Sequence, residues 1–89
     1  MLEVSDIKLS KTRNFKKHYL QRVNLDCDKI FVYVVDKLLK NQPLEKKFKD
    51  HALVGNFSNL KECHLKPDLL LIYQLLDDEL RLIDIGSHS

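Results

Sequence analysis

Residues 60–85 read LKECHLKPDLLLIYQLLDDELRLIDI, three apolar segments separated by two short polar breaks. The first break, Lys66-Pro67-Asp68, has the composition of a turn, and Asp77-Asp78-Glu79 forms the second. Strands joined by turns this short have to pair antiparallel. Residues 69–76 are apolar almost throughout, which is typical of a central strand covered on both faces. We therefore predict strands at residues 60–65, 69–76 and 80–85, with a weaker strand at 53–57 that Gly55 interrupts.

The N-terminal half changes from a strand pattern to a helical one. Residues 3–9 are a short strand candidate, and a first helix follows them. A second helix, N-capped by Asp26 or Asp28 and ended by residues 41–43, carries an amphipathic stripe that needs a core to cover. Two helices packed on a small antiparallel sheet make an α+β fold in a single domain, residues 1–89. The apolar stripes are Phe15, Tyr19 and Val23 in the first helix and Phe31, Val34, Val35, Leu38 and Leu39 in the second.

The composition, 44% hydrophobic and 31% charged, is that of a compact globular protein. The longest apolar run, residues 69–73, is far short of the roughly 20 residues that a membrane helix needs. Residues 1–10 lack the apolar core of a secretory signal. Cys27 and Cys63 do not make a disulfide framework, so we expect a reduced protein of the cytoplasm without membrane association.

The charge is distributed unevenly along the chain. Residues 1–50 carry 12 Lys/Arg against 7 Asp/Glu, whereas residues 51–89 carry 3 against 6. Lysine is a common exposed residue in helices, so the excess is consistent with a solvated helix surface. It is equally consistent with an electrostatic footprint for a polyanion. The charge alone leaves both interpretations open.

Several titratable residues of the C-terminal half fall at the predicted strand ends, where functional side chains are often held by a rigid scaffold. Histidine, with an ordinary pKa of about 6.5, exchanges protons at neutral pH. Two such groups on opposite sides of a phosphorus atom, with a nearby cation, suit phosphodiester transfer. The candidate set is His51, His64, Asp68 and His88, with Lys61, Lys66 and Arg81 as phosphate-binding cations.

Other interpretations of these residues remain open. On spacing alone, ordinary loop histidines are favoured over a site. A zinc site of Cys63, His64 and Asp68 is a rival, but neighbouring strand residues point to opposite faces, so the first two cannot readily share one ion. Cys63 is better interpreted as a small buried residue, and we predict no metal. His18, among the lysines of the first helix, is interpreted as solvated surface.

Six short motifs follow one another in the second half of the chain: Lys49-Asp50-His51, Leu53-x-Gly55, Glu62-Cys63-His64, Lys66-Pro67-Asp68, Leu71-Ile72-Tyr73 and Gly86-Ser87-His88. In order and spacing they resemble the YafQ family of bacterial toxins, a branch of the RelE-like mRNA interferases. Asp6-Ile7 and the basic helices extend the resemblance over nearly the whole chain.

The resemblance implies a RelE-like fold and a ribosome-dependent, metal-independent endoribonuclease without a cofactor. The ribose 2′-OH of translated mRNA would attack the adjacent phosphate, leaving a 2′,3′-cyclic phosphate and a 5′-OH. It implies that His51 and His88 exchange protons, while His64 and Asp68 position and tune them. It also implies a co-expressed antitoxin, of the ribbon-helix-helix type found in DinJ, so that DNA is contacted only through the antitoxin.

The sequence departs from the family pattern in three places. Lys61 stands where the family usually carries arginine, and Asp84 stands at a second arginine position, where a carboxylate facing the cleft would repel RNA. Family members generally continue past the last histidine to a phenylalanine, whereas this sequence stops at Ser89. These departures favour an alternative, a catalytically weak homologue that binds an antitoxin without cutting RNA. A free-standing DNA-binding domain is a further alternative, supported only by the basic helices.

Overall fold

A computed structural model describes residues 7–23, 25–53 and 59–87, with the backbone alone at 25–27. The elements run in the order β1 (Lys8–Lys11), α1 (Arg13–Arg22), α2 (Leu25–Leu39), a 3-10 turn (Lys46–Phe48), β2 (His51–Ala52), β3 (Leu60–Lys66), β4 (Leu69–Leu75) and β5 (Glu79–Ser87). The strands form one sheet in the order β1-β5-β4-β3-β2. The predicted α+β fold, two helices on a small and mostly antiparallel sheet, is confirmed.

The sheet is antiparallel from β2 to β5, as the short turns require, but its β1 edge is parallel. Lys8 lies opposite Glu79 and Lys11 opposite Leu82. The prediction placed this strand at residues 3–9, of which 3–6 lie outside the described residues. A parallel pair needs a long crossover, and α1 and α2 supply it, because they lie between β1 and the rest of the sheet in the chain.

Both helices cover the same face of the sheet. The predicted stripes are confirmed, since five of their members are buried and the other three pack partly buried against the core. Phe15 stacks on Phe31 with ring centroids 5.7 Å apart. Tyr73, the largest fully buried side chain, lies at the centre of the sheet on β4. The core consists of Phe15, Phe31, Val34, Val35, Leu38, Phe48, Cys63, Leu65, Leu69, Leu71, Tyr73, Leu80, Leu82 and Ile85.

A threonine cap sets where α1 begins and how it lies on the sheet. The Thr12 hydroxyl accepts a hydrogen bond from the Phe15 backbone N–H at 3.0 Å and donates one to the Ile83 carbonyl at 2.5 Å. The same residue therefore satisfies the helix terminus and attaches it to β5. This contact, which joins residues 71 positions apart, fixes the N-terminal end of α1 to the sheet.

The start of α2 differs from the prediction. The helix begins at Leu25, so Asp26 and Asp28 lie inside its first turn and neither is the N-cap. Asp28 instead accepts a hydrogen bond from the Tyr19 hydroxyl, which ties the two helices together. An acidic side chain in the first turn also interacts favourably with the positive end of the helix dipole. The predicted stop is confirmed, since α2 ends at Leu39.

The three strongest strand predictions are confirmed to within one or two residues at either end, whereas the strand described nearest the weak prediction at residues 53–57 lies just before it. The paired residues are His51–Ala52, and Leu53 lies outside the strand, although its N–H still donates to the Leu60 carbonyl at 3.0 Å. Residues 54–57 of that prediction lie outside the described residues. Within the described ranges, neither helix has the length and apolarity that a membrane span requires.

Candidate active site

His51 is fixed in β2 by two contacts to its imidazole ring. The strand pairs His51 with Glu62 of β3, and Nε2 lies 3.1 Å from the Glu62 Oε1 atom. The other ring nitrogen, Nδ1, lies 2.6 Å from the Lys49 carbonyl oxygen. Both partners are acceptors, so the two contacts are satisfied together when both ring nitrogens carry a hydrogen. The ring is held in place while its side chain stays 48% exposed and open to a substrate.

His64 lies beside His51 on the neighbouring strand. Glu62 and His64 are two residues apart on β3 and therefore point to the same face of the sheet. The ring centroids of His51 and His64 are 6.4 Å apart. Immediately after His64 the register of β3 shifts at a β-bulge, a local distortion that is frequent beside functional sites. The structure thus brings two of the four predicted catalytic residues into one place.

Cys63, between Glu62 and His64, points to the opposite face and is fully buried. Cys63 and His64 therefore do not share a metal ion, and the interpretation of Cys63 as a buried small residue is confirmed. Among the residues that the structure describes, no three His, Cys, Asp or Glu side chains converge closely enough to hold a metal.

Burial raises the pKa of the Cys63 thiol from 9.0 to about 12. The thiol pKa is higher in the folded than in the unfolded protein. Its contribution to the free energy of unfolding is therefore fully present below pH 9 and is lost as the pH rises from 9 towards 12. We expect iodoacetamide at pH 8 to label Cys63 far more slowly in the folded protein than in guanidinium chloride, with Cys27 replaced by serine to leave one thiol. Equal labelling rates in the two conditions would contradict the burial of this thiol.

A hydrogen-bonded network behind the site anchors β2. The hydroxyl of buried Tyr73 donates to Asp50, and the Lys61 Nζ atom lies 3.1 Å from the other Asp50 oxygen. Burial, and then the hydrogen bond to Asp50, raise the pKa of Tyr73. Because Asp50 directly precedes His51, the network fixes the backbone that carries the imidazole. Sequence reasoning assigned no role to Asp50 or Tyr73, since their contact joins positions 23 residues apart.

Two of the predicted phosphate-binding cations do not lie with the histidines. Lys61 points to the face opposite Glu62 and His64 and is paired with Asp50. Arg81 lies opposite Gln74 and contacts that side chain and Glu79. Along β5 it is about 20 Å from Ser87. Their positions do not support the prediction that they act on the same phosphate as His64, because strand alternation and sheet register separate them from it.

Lys66 lies between two cavities. The first, which we call the lysine cavity, has a volume of about 310 Å³, and its lining includes Ile30, Lys47, Phe48, Lys49, His64 and Lys66. The second, which we call the arginine cavity, has a volume of about 270 Å³ and is lined by Gln21, Arg22, Lys66, Asp68, Leu69 and Ser87. His64 and Asp68 therefore occupy neighbouring cavities that share one lysine. His88 follows Ser87 in the sequence and lies outside the described residues.

Asp84 does not stand as an unpartnered carboxylate. Its Oδ1 atom lies 2.6 Å from His18 Nδ1 of α1 and accepts a hydrogen bond from the Ile85 backbone N–H at 2.8 Å. The prediction of His18 as solvated surface is therefore wrong, because its side chain is only 31% exposed and is paired with Asp84. The sequence could not reveal this pair, because the two residues are 66 positions apart and meet only through the packing of α1 on β5.

Solved structures of bacterial toxins share this fold. A copper-bound mutant toxin from Helicobacter pylori is 39% identical, with a TM-score of 0.82, and the match covers 93% of this chain and 96% of that one. The DinJ–YafQ complex of Escherichia coli contains a chain that is 28% identical, with a TM-score of 0.79, matched over 92% of this chain and 93% of that one. The shared fold, at these identities, thus groups this molecule with the small α+β bacterial toxins.

Sequence relatives identify the branch. The E. coli K12 protein named mRNA interferase toxin YafQ is 36% identical over 78% of this chain and 75% of its own length. A Haemophilus influenzae relative named for YafQ is 36% identical over 66% of this chain, and the match spans 62% of that relative's length. Residues 7–89 match the model of a family described as the bacterial toxin of type II toxin–antitoxin systems, YafQ. The chain belongs to the YafQ family.

Proposed function

We propose that this protein is the toxin of a toxin–antitoxin pair and an endoribonuclease that cuts mRNA while it is being translated. The observation that carries the proposal is the pair of imidazoles on adjacent strands, His51 and His64, with ring centroids 6.4 Å apart. Groups at this separation can contact the same scissile phosphate, with His51 at the leaving oxygen and His64 beside the phosphoryl group. The E. coli relatives named mRNA interferase toxin support the choice of mRNA as the substrate.

The reaction we propose is an internal transfer rather than an attack by water. A general base removes the proton of the ribose 2′-OH, and the 2′-oxygen forms a bond to the adjacent phosphorus. The bond from phosphorus to the 5′-oxygen breaks, and a general acid donates a proton to that oxygen. The products are a 2′,3′-cyclic phosphate and a 5′-OH, so atoms and protons balance without an added reactant.

The contacts of His51 suggest its part in this reaction. Because both ring nitrogens face acceptors, the Glu62 carboxylate and the Lys49 carbonyl, we assign His51 as the proton donor to the leaving oxygen. His88 is then the base. His64 and Asp68 position the reacting groups, and Lys66 contacts the phosphoryl oxygens from the boundary of the two cavities. The lysines of the lysine cavity support binding of a polyanion next to His64.

Translation of a defined mRNA in a reconstituted system, followed by primer extension, tests the proposal. The purified protein should generate new 5′ ends inside the translated codons. The same mRNA without its start codon should stay intact, because cleavage is proposed to require the ribosome. If the protein binds an antitoxin but no new 5′ ends form, the alternative of an antitoxin-binding module without RNA cleavage replaces the enzyme.

Metal is not required in this proposal, because imidazoles perform both proton transfers. Metal-bound and copper-bound toxins from H. pylori are among the structural relatives, so the point needs a direct test. Protein treated with a chelator and dialysed should cut mRNA at an unchanged rate in a translation mixture containing only Mg²⁺ as divalent cation. A requirement for added Cu²⁺ or Zn²⁺ would contradict this part of the proposal.

The partner we propose is a cognate antitoxin, co-expressed with the toxin, that covers the catalytic residues. The E. coli relative solved as a DinJ–YafQ complex supports this choice. DNA would then be bound through the antitoxin, of ribbon-helix-helix type, and the site of action would be the ribosome in the cytoplasm. Co-purification of the toxin with the product of a neighbouring gene, and loss of mRNA cleavage in that complex, are the expected results.

A further inference from the structure

Arg22, in the last turn of α1, reaches the end of the sheet where the catalytic candidates lie. A Cβ atom placed on Gly86 of β5 would be 3.9 Å from the Arg22 Nε atom, so the guanidinium lies directly beside the strand. Arg22 also lines the arginine cavity together with Lys66, Asp68 and Ser87. Arg22 is not among the site residues predicted from the sequence, because it belongs to α1 and meets β5 only in the folded chain.

The charges around this cavity leave it positive. Within the described residues, neither Arg22 nor Lys66 has a carboxylate within ion-pair distance, and Asp68 is the one acidic residue of the lining. The carboxylate of Asp84, two positions before Gly86, contacts His18 and accepts a hydrogen bond from the Ile85 backbone N–H. Asp84 is therefore directed towards α1 and does not line the cavity, in which two cations face one carboxylate.

We infer that Arg22 is an RNA-binding residue and that, with Lys66, it holds a backbone phosphate of the RNA in the arginine cavity. The inference rests on the proposed function, which supplies the RNA. Arginine fits this position because its planar guanidinium can donate two parallel hydrogen bonds to one phosphate. Lys66 reaches both cavities, so a strand crossing it would place successive phosphates near His64 on one side and near Arg22 on the other.

A structural role is the competing explanation, because a cation in the last turn of a helix also stabilises the helix dipole. That role would change thermal stability and leave RNA affinity unaffected. Arg13, at the first turn of the same helix, is a matched exposed arginine outside the cavity. The comparison of Arg22→Ala with Arg13→Ala therefore separates RNA binding from a general effect of positive charge.

The experiment measures the affinity of a short single-stranded RNA, made non-cleavable by 2′-O-methyl groups, over a range of salt concentrations. Arg22→Ala should bind about tenfold more weakly than the wild type, as for loss of one charge-assisted contact. The slope of log K against log salt should fall by about 0.7, the value for one phosphate contact on a single strand. Arg22→Lys should lie between the two, and Arg13→Ala should match the wild type.

Three further outcomes separate the inference from the proposed function. If the wild type binds RNA and cuts translated mRNA, but Arg22→Ala has wild-type affinity and salt slope, only the inference is overturned. If the wild type binds RNA without cutting, the proposed function fails, and the change in salt slope still decides for or against Arg22. If the wild type binds no RNA, the inference is overturned, and cleavage of translated mRNA decides the proposed function separately. Thermal unfolding of each variant verifies that the compared proteins are folded.

Discussion

Replacing His51 by alanine is expected to lower the rate of mRNA cleavage on the ribosome by roughly 10²–10⁴-fold, the usual contribution of one general acid or base. His64, whose ring centroid is 6.4 Å away, positions the reacting groups in the proposed mechanism and does not take over proton donation, and Glu62 and the Lys49 carbonyl hold the His51 ring. The rate is measured by single-turnover primer extension with excess toxin. The fold should remain intact, since the His51 side chain is half exposed.

The matched control for this prediction is Arg81→Ala. Arg81 lies on the same sheet but about 20 Å along β5 from Ser87. Its guanidinium donates hydrogen bonds to Glu79 and Gln74. Its removal should leave cleavage near the wild-type rate. His64→Ala should impair cleavage together with His51→Ala. A His51→Ala protein that cuts mRNA as fast as the wild type would remove His51 from the mechanism.

Replacing Tyr73 by alanine is expected to lower the free energy of unfolding by about 3–5 kcal/mol, as for other buried aromatic residues truncated to alanine. Tyr73 is fully buried in the central strand, and its hydroxyl is the partner of Asp50. Since small domains are stabilised by only about 5–15 kcal/mol, this change removes much of the total. Urea or guanidinium denaturation, followed by circular dichroism, measures the loss.

Two further variants divide the contribution of Tyr73 into packing and hydrogen bonding. Tyr73→Phe keeps the ring and should cost only about 1 kcal/mol, but Asp50 then loses a partner and His51 becomes less well fixed. Cleavage should therefore fall in Tyr73→Phe more than stability does. Leu20→Ala, at an 84% exposed position of α1, is the control and should change stability by less than about 0.5 kcal/mol. A Tyr73→Ala protein as stable as this control would contradict the burial of the ring.

Much of the fold could be predicted because its signals are local. The segment of residues 60–85 contains its own turns, and each polar break fixes an antiparallel pair without reference to the rest of the chain. The apolar stripe of α2 likewise identifies the face that is buried. In contrast, β1 pairs with β5 through Lys8 and Glu79, which are 71 positions apart, and no local pattern specifies that parallel register.

The sequence predicted which residues belong to the candidate site better than it predicted how they are arranged in space. Strand ends indicated where His51, His64 and Asp68 lie, but the approach of the two imidazoles depends on the pairing of His51 with Glu62 across β2 and β3. The predicted strand at residues 53–57 would not have placed His51 in the sheet at all. The cations were assigned by sequence proximity, and this failed for Lys61 because strand alternation sends it to the other face.

Departures from the family pattern acquire a physical meaning once the packing is known. Asp84 raised the expectation of repulsion towards RNA, yet α1 brings His18 to it at 2.6 Å. The same helix brings Arg22 beside Gly86, two positions further along β5. A single element thus supplies both the partner of the acidic residue and a cation for the neighbouring cavity. These compensations operate between α1 and β5, so a comparison of β5 alone would not detect them.

Mass spectrometry of the RNA ends, made by this toxin on one defined mRNA on the ribosome, tests the mechanism most directly. It shows whether the ribose 2′-oxygen or water attacks the phosphorus. Proton transfer between histidines, with the ribose oxygen as nucleophile, requires an upstream fragment ending in a 2′,3′-cyclic phosphate and a downstream fragment starting with a 5′-OH. Fragments ending in a 3′-OH and starting with a 5′-phosphate would mean that water attacked the phosphorus, and would contradict the mechanism.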